Sequence, residues 1–431
     1  MIDPTSMLLF SLIGFSIGFL TSLIPGLHIN TTSLLIISLQ ATFYNIFDAM
    51  GVDPISHPLL LSILISSAYV SSTFSNVIPA ILLGAPDEDT ALSILPGHSL
   101  LLKGRGYEAI VISAFGSFGS ALIALSFLYP FKLILTEPLN LYDSLLEIMP
   151  FVLVSVVAVM ILTERGTKRM AVAILTLILS GIYGILILDL PIRSPISLPS
   201  SPLFPALAGL FGMATLVTSA ISRAEIGEQS LEEFDLGKEL RGSMISMLVG
   251  SLSGILVSII PGVTTAIGTI IALTMRGEAD ERQTLITLSS VNTSVAIFAM
   301  ANIFTIGRAR SGVAIILKEV LEPDRWIDAP PPCLIYLLIP IILSSSISFL
   351  ATCRVGKLAL KGINRIPYQK VIRLAMVFLI FLILLFSGLL GLLIFAVGTL
   401  IGMIPILMGA RRSNCMGVLI IPLFLRLLGI L

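Results

Sequence analysis

Charge is scarce in this chain. Only 12% of its 431 residues are Asp, Glu, Lys or Arg, against 56% hydrophobic, and the mean hydropathy is +1.05. A soluble globular domain carries about twice that charged fraction, so a water-soluble globule is excluded. The charges present cancel, 25 basic against 25 acidic, which leaves no basic field to attract nucleic acid or anionic lipid. Cysteine is nearly absent. Cys333, Cys353 and Cys415 show no CxxC or metal-ligand spacing, so they read as small packing residues and not as a disulfide framework. Trp326 is the only tryptophan, so any interfacial aromatic belt falls to tyrosine. No Ser-His-Asp set, zinc spacing or phosphate-cradling loop stands out, and the expectation is a non-enzyme without a metal or cofactor. The opening "MIDPTSMLLF" lacks a basic n-region, so its apolar segment is expected to be retained, unlike a cleaved signal peptide.

What is present is apolar length. Runs able to span about 30 Å of hydrocarbon recur throughout, among them Ala109–Leu128, Phe151–Leu162, Ala171–Leu188 and Arg373–Met408. The chain reads as an all-α polytopic membrane protein. Against that background "GFLTSLIPGLHINTTSLLI", Gly18–Ile36, is anomalous, because Pro25-Gly26 interrupts an apolar run and a His, an Asn and two Thr follow. A broken helix in hydrocarbon frees backbone N–H and C=O groups that no water can satisfy. Such breaks are tolerated where they are buried in protein or line a cavity.

The break occurs twice. "GFLTSLIPG" (Gly18–Gly26) aligns with "GILVSIIPG" (Gly254–Gly262), and both run on into small and polar residues. Further along, "ISSAYVSS" (Ile65–Ser72) aligns with "LSSVNTSV" (Leu288–Val295), and Gly84 with Gly307. The polar stretch between the copies reads as a linker. The expected division is therefore a first repeat, 1–221, a linker, 222–242, and a second repeat, 243–431.

Loop charge orients the two copies. Cys353–Arg373 carries six basic residues (Arg354, Lys357, Lys361, Arg365, Lys370, Arg373) and no acid, so it is expected on the cytoplasmic side. Thr163–Met170 and Ala410–Asn414 are also basic. The stretch Pro130–Glu147, equivalent to Cys353–Arg373, carries one Lys and three acids (Glu137, Asp143, Glu147). If each Pro-Gly segment is a re-entrant hairpin followed by about five transmembrane helices, all three basic loops share one side. An odd number of spans per half then inverts the second repeat relative to the first. Inverted repeats with broken helices meeting near the midplane are a secondary-transporter architecture.

Four stretches carry a resemblance: Gly18–Ile36, "IPAILLGAPDEDTALSILPGHSLLLKGRGYEAI" (Ile78–Ile110), "FPALAGLFGMATLV" (Phe204–Val217) and "GILVSIIPGV" (Gly254–Val263). In this order they resemble TctA, the large membrane subunit of the tripartite tricarboxylate transporters. The resemblance implies a duplicated, inverted fold in the cytoplasmic (inner) membrane and cation-coupled carboxylate uptake by Na+ or H+ symport. It also implies a small membrane subunit and an extracytoplasmic binding protein as partners. The chain departs from the family at Gly84–Asp89, and "ANIFTIGRARSGVAII" lacks the proline of the family's second loop.

A helix beginning after Pro25-Gly26, and another after Pro261-Gly262, would each present N–H groups and about half a positive charge. Two such ends suit a carboxylate or phosphate. Asn30, Thr31, Thr32, Thr264 and Thr265 would add hydroxyl and amide partners, or would simply satisfy carbonyls freed by the break. His28 is a proton carrier, an anion ligand when charged, or a hydrogen-bonded structural residue. Asn292 and Asn302, flanked by apolar residues, are expected to line a cavity. Arg308 and Arg310 would clamp an anion or merely end a loop, and Asp87, Glu88 and Asp89 would bind a cation or be solvated. Three functions fit: a carboxylate permease, a polyprenyl-phosphate or other lipid-phosphate translocator, and a non-transporting membrane scaffold.

Overall fold

The computed structural model describes residues 3–24, 27–83, 92, 94–162, 164, 166–192, 194–195, 202–221, 229–231, 236–259, 265–277, 280–309, 311–363 and 368–430. Among these, the secondary structure is all helical. In the first half the helices are α1 (Pro4–Thr21), α2 (Ile29–Ser38), α3 (Gln40–Ala49), α4 (His57–Ser75), α5 (Val77–Leu83) and α6 (Ile94–Leu102), then α7 (Gly106–Leu135), α8 (Tyr142–Leu162), α9 (Thr167–Leu188), α10 (Leu203–Leu207) and α11 (Ala214–Ile221). A π-helical segment, Ala208–Met213, joins the last two. The second half has α12 (Leu236–Ile259), α13 (Thr265–Arg276), α14 (Glu281–Thr305), α15 (Gly312–Leu321), α16 (Pro332–Ile363), α17 (Tyr368–Met408) and α18 (Gly417–Leu427). Among the described residues nine segments are long and apolar enough to cross a membrane. The protein is a multi-pass membrane protein.

Two elements differ from the sequence reading. Helix α12 begins at Leu236, inside the stretch expected to be linker, because Lys, Glu, Leu and Arg are good helix formers however polar the segment. Gln229, also in that stretch, is tied down: its Oε1 accepts from Gly106 N at 2.9 Å and its Nε2 donates to Leu101 O at 2.8 Å. Helix α17 would be about 61 Å long if straight, twice the hydrocarbon thickness. It is broken at Gly388, whose φ of 63° and ψ of −160° lie outside the helical region.

The helices are packed through their backbones. A Cβ on Gly18 would collide with the carbonyl oxygen of Ala68 and lie 2.5 Å from Ser71 Oγ; one on Gly14 would collide with Leu64 O. In the second half a Cβ on Gly254 would strike Ser294 Oγ and lie 2.8 Å from Val291 O, and one on Gly250 would lie 2.6 Å from Thr287 O. These contacts repeat the sequence alignment residue for residue: Gly18 with Gly254, Ala68 with Val291, Ser71 with Ser294. Lipid tails offer no hydrophobic drive between helices, so close packing of small residues supplies the adhesion.

Hydroxyl groups fill the same seams. Ser67 Oγ donates to Ser11 O at 2.5 Å, Ser120 Oγ to Ser290 O at 2.7 Å, and Ser251 Oγ to Ser120 Oγ at 2.9 Å. Ser113 pairs with Ser289, Ser67 with Ser344, and Thr73 with Thr293 at 3.1 Å. The Ser67–Ser11 bond joins α4 to α1; the others join α4 and α7 of the first half to α12, α14 and α16 of the second.

The packing predicts a contrast. Gly18→Val or Gly254→Val forces α1 off α4 or α12 off α14, at a cost of roughly 1–3 kcal/mol or more, read as a lowered thermal unfolding midpoint. Gly362→Ala, where a Cβ meets nothing within 4 Å, leaves the midpoint unchanged or raises it slightly through helix propensity.

Candidate functional site

Helix α1 ends at Thr21 and a turn covers Ser22–Ile24. Pro25 and Gly26 lie outside the described residues. The chain resumes at Leu27, and α2 starts at Ile29 with His28 as its N-cap. The imidazole Nδ1 of His28 accepts the N–H of Asn30 at 3.1 Å, while its carbonyl accepts from Thr31 N and Thr32 N at 2.9 and 3.1 Å. An Nδ1 that accepts carries no proton, so this His28 is the neutral Nε2–H tautomer. The first-turn N–H groups of α2 are thus largely occupied by His28. Asn30 is committed too: its Oδ1 accepts from Val313 N at 3.2 Å and so caps α15. Thr31 is half-buried, whereas Thr32 and Ser33 are buried, and neither hydroxyl of the latter two has a protein partner.

At the second break α12 ends at Ile259 and α13 starts at the buried Thr265. Pro261, Gly262 and Thr264 lie outside the described residues, as do Arg310, Gly84, Asp87, Glu88 and Asp89. Asn302, fully buried on α14, donates to Ser258 O at 2.9 Å and approaches Ser258 Oγ at 3.2 Å. It satisfies a carbonyl in the last turn of α12, where the helix can no longer do so. Asn292 sits lower on α14, where it crosses α4; its Nδ2 is 3.4 Å from both Thr73 O and Asn76 Oδ1. Arg308 is held at the surface, with Nη1 3.2 Å from Tyr142 Oη and the guanidinium 5.2 Å from that ring. The structure therefore gathers Asn292 and Asn302 on the helix that braces both halves, sets His28, Asn30, Thr31 and Thr32 at one break and Thr265 at the other, and engages Arg308 with Tyr142.

Sequence reasoning missed a cation in the interior. Arg412 begins a short 3-10 segment, Arg412–Met416, between α17 and α18. It is half-buried, and its Nη1 donates to Thr215 Oγ1 at 2.5 Å. Thr215 follows the π-helical segment. Nearby, Glu164 is engaged elsewhere: its Oε1 accepts from Arg411 N at 2.8 Å and Asn414 Nδ2 at 3.1 Å. His98 on α6 is buried, and the field of Arg412 reaches it. Two adjacent arginines in so charge-poor a chain were the available signal.

Ion pairs tie the halves together beside α6. Lys103 Nζ meets Glu281 at 2.7 and 2.8 Å, Ser99 Oγ donates to Glu281 Oε1 at 2.6 Å, Arg105 forks onto Glu108 at 2.6 and 2.7 Å, and Arg282 pairs with Glu108. At the other ends of α7 and α14, Lys132 Nζ donates to Ile327 O at 2.6 Å. A crevice of about 610 Å3 lies between residues 40–59 and residues 319–336, walled by Tyr44, Leu59, Glu319, Glu322, Cys333 and Tyr336 among others.

Comparison with known proteins adds a family. The model of the Tripartite tricarboxylate transporter TctA family matches residues 8–417. The chain is 26% identical over 425 residues to an uncharacterized protein of Methanocaldococcus jannaschii, covering 97% of this chain and 98% of that one. No solved structure matches.

The capping geometry separates the readings of His28. Asn is as good an N-cap as any residue, whereas Ala costs about 0.5–2 kcal/mol. His28→Asn should therefore keep both thermal stability and transport, and His28→Ala should lower stability. A His28→Asn protein that folds normally but no longer transports would instead identify a titrating role.

Proposed function

The chain belongs to the tripartite tricarboxylate transporter TctA family, and we propose that it is a secondary-transporter permease for a small organic anion of the di- or tricarboxylate class. In this reading uptake is coupled to Na+ or H+, the membrane is the cytoplasmic one, and a small membrane subunit and an extracytoplasmic binding protein complete the system. The protein is a transporter and not an enzyme. The observation that carries the reading is the pair of helix breaks, after Thr21 in α1 and after Ile259 in α12, on helices that each meet a neighbour through glycine. A break of this kind in hydrocarbon is maintained where it lines a cavity, and helix starts there are electropositive.

Two repeats, 1–221 and 243–431, inverted about an axis in the membrane plane, are part of the proposal. Several contacts support it. The ion pairs join the start of α7 to the start of α14. Gly106, at the start of α7, lies against Leu360, near the end of α16, so α7 and α16 run oppositely. The start of α4 shares the crevice with the start of α16. Helices α4 and α14 then run in opposite directions, and each carries its own broken helix alongside.

Two measurements test this. In proteoliposomes, Gly26→Val and Gly262→Val should abolish carboxylate uptake by blocking approach to the backbone, while Thr31→Ala or Thr265→Ala should weaken it by about 1 kcal/mol, one hydrogen bond. Normal uptake by both inserted valine variants would make the breaks structural kinks. Single-cysteine labelling should find Cys353–Arg373 on the cytoplasmic side and Lys132–Glu147 outside; labelling of both from one side would refute the five-span count.

A further inference from the structure

We propose that the crevice between α3–α4 and α15–α16 binds a small organic cation, an amine or guanidine on an aromatic or aliphatic stem, with Glu319 and Glu322 as its counter-charges. The inference uses the repeat pairing proposed above but not the anion-permease reading, since neither glutamate adjoins a Pro-Gly break. In the proposed orientation the crevice opens outside, at the end of α16 opposite Cys353–Arg373.

The crevice has the size and walls of a ligand site. Its volume of about 610 Å3 falls within the range of about 300–1,000 Å3 usual for small-molecule pockets. Tyr44, Tyr336, Leu59 and Leu321 give it aromatic and aliphatic walls, and Glu319 and Glu322 add carboxylates from the end of α15. Tyr44 is held from behind by the rings of Phe47 and His57, at centroid distances of 6.0 and 5.1 Å. A tyrosine face and a carboxylate both attract a cation, and neither suits an anion.

The charge here is reversed relative to the equivalent place in the other copy. The alignment of Ile65–Ser72 with Leu288–Val295 carries Pro58 onto Glu281. The residue directly after α6 is Lys103, and the residue directly after α15 is Glu322. Lys103 and Glu281 form an ion pair of 2.7 Å beside a crevice of about 290 Å3. In the other copy Glu322 replaces the lysine and Pro58 the glutamate, and the crevice is about twice as large. One end of the helix interface supplies its own ammonium; the other presents carboxylates and space for one. Glu322 stands there with a left-handed φ of 44°, where glycine or asparagine is usual. The cations of the same segment are turned to Gly307: Lys318 Nζ donates to its carbonyl at 2.8 Å, and the Arg325 guanidinium lies against its Cα.

A soluble amine and a phosphatidylethanolamine headgroup share this chemistry, and the test separates them. Cys333 lines the crevice and reports its occupancy. The full chain in phosphatidylglycerol nanodiscs is alkylated with N-ethylmaleimide, and the rates at Cys333 and Cys353 are read by peptide mass. Tyramine should slow Cys333 several-fold and leave Cys353 unchanged; 4-ethylphenol, its uncharged counterpart, and citrate should slow neither. The double variant Glu319→Gln/Glu322→Gln should lose the protection, and calorimetric titration should find its tyramine affinity lower by about tenfold or more. Asp324→Asn, at an exposed acid outside the crevice lining, should keep both. If phosphatidylethanolamine in the disc slows Cys333 without added amine, and the double variant abolishes that effect, the cation is the lipid headgroup; protection by tyramine alone assigns a soluble amine. Protection by 4-ethylphenol or citrate, or undiminished protection in the double variant, overturns the inference. So does a Cys333 rate that neither tyramine nor phosphatidylethanolamine changes, and wild-type carboxylate uptake alongside that result leaves the permease reading standing.

Discussion

Backbone-to-backbone contact between helices at glycine is the constraint on which the rest of this structure depends. The chain has too few charges to hold its helices by ion pairs, and no disulfide framework is available to it. Gly14 and Gly18 bring α1 onto α4, and Gly250 and Gly254 bring α12 onto α14, at distances no side chain permits. Serine and threonine hydroxyls then bond across the seams. With each broken helix pressed along an unbroken one, the polar groups freed by a break meet protein, as Ser258 O meets Asn302.

This arrangement has a consequence for charge. An interior assembled from glycine, serine and apolar side chains contains little that can compensate an anion. Helix starts supply partial positive charge, but at the first break the N-cap of His28 consumes the donors. In the ion-pair cluster of Lys103, Glu281, Arg105, Glu108 and Arg282 every cation already has a carboxylate partner. Arg412 differs from these in lacking an acidic partner among the described residues; its guanidinium bonds instead to the Thr215 hydroxyl.

Much of the architecture was legible in the sequence because it is written in local pattern. Apolar runs announced the membrane helices, and the alignment of Gly18 with Gly254 and of Ile65–Ser72 with Leu288–Val295 reappears as matching contacts in space. The break at Gly388 was hidden because Gly388, Gly391, Gly398 and Gly402 all lie in one apolar run, and only packing selects which of them leaves the helix. The start of α12 was hidden because a polar segment can be helical or not. At the candidate site, sequence named residue types suited to anions but not their occupancy. His28 and Asn30 turn out to cap helices, Asn302 to satisfy a carbonyl and Arg308 to stack on Tyr142, all tertiary facts. Arg412 was overlooked for the same reason: a basic pair in a loop reads as solvated until the burial of one member and its bond to Thr215 are known.

The central claim is that an organic anion binds between the two helix breaks. An experimental structure of the chain in nanodiscs, determined with saturating citrate and again without it, tests this most directly. The account expects added density beside the helix starts that follow Pro25-Gly26 and Pro261-Gly262. Citrate density confined to the crevice walled by Tyr44 and Tyr336, with continuous protein packing between the two breaks, would contradict it.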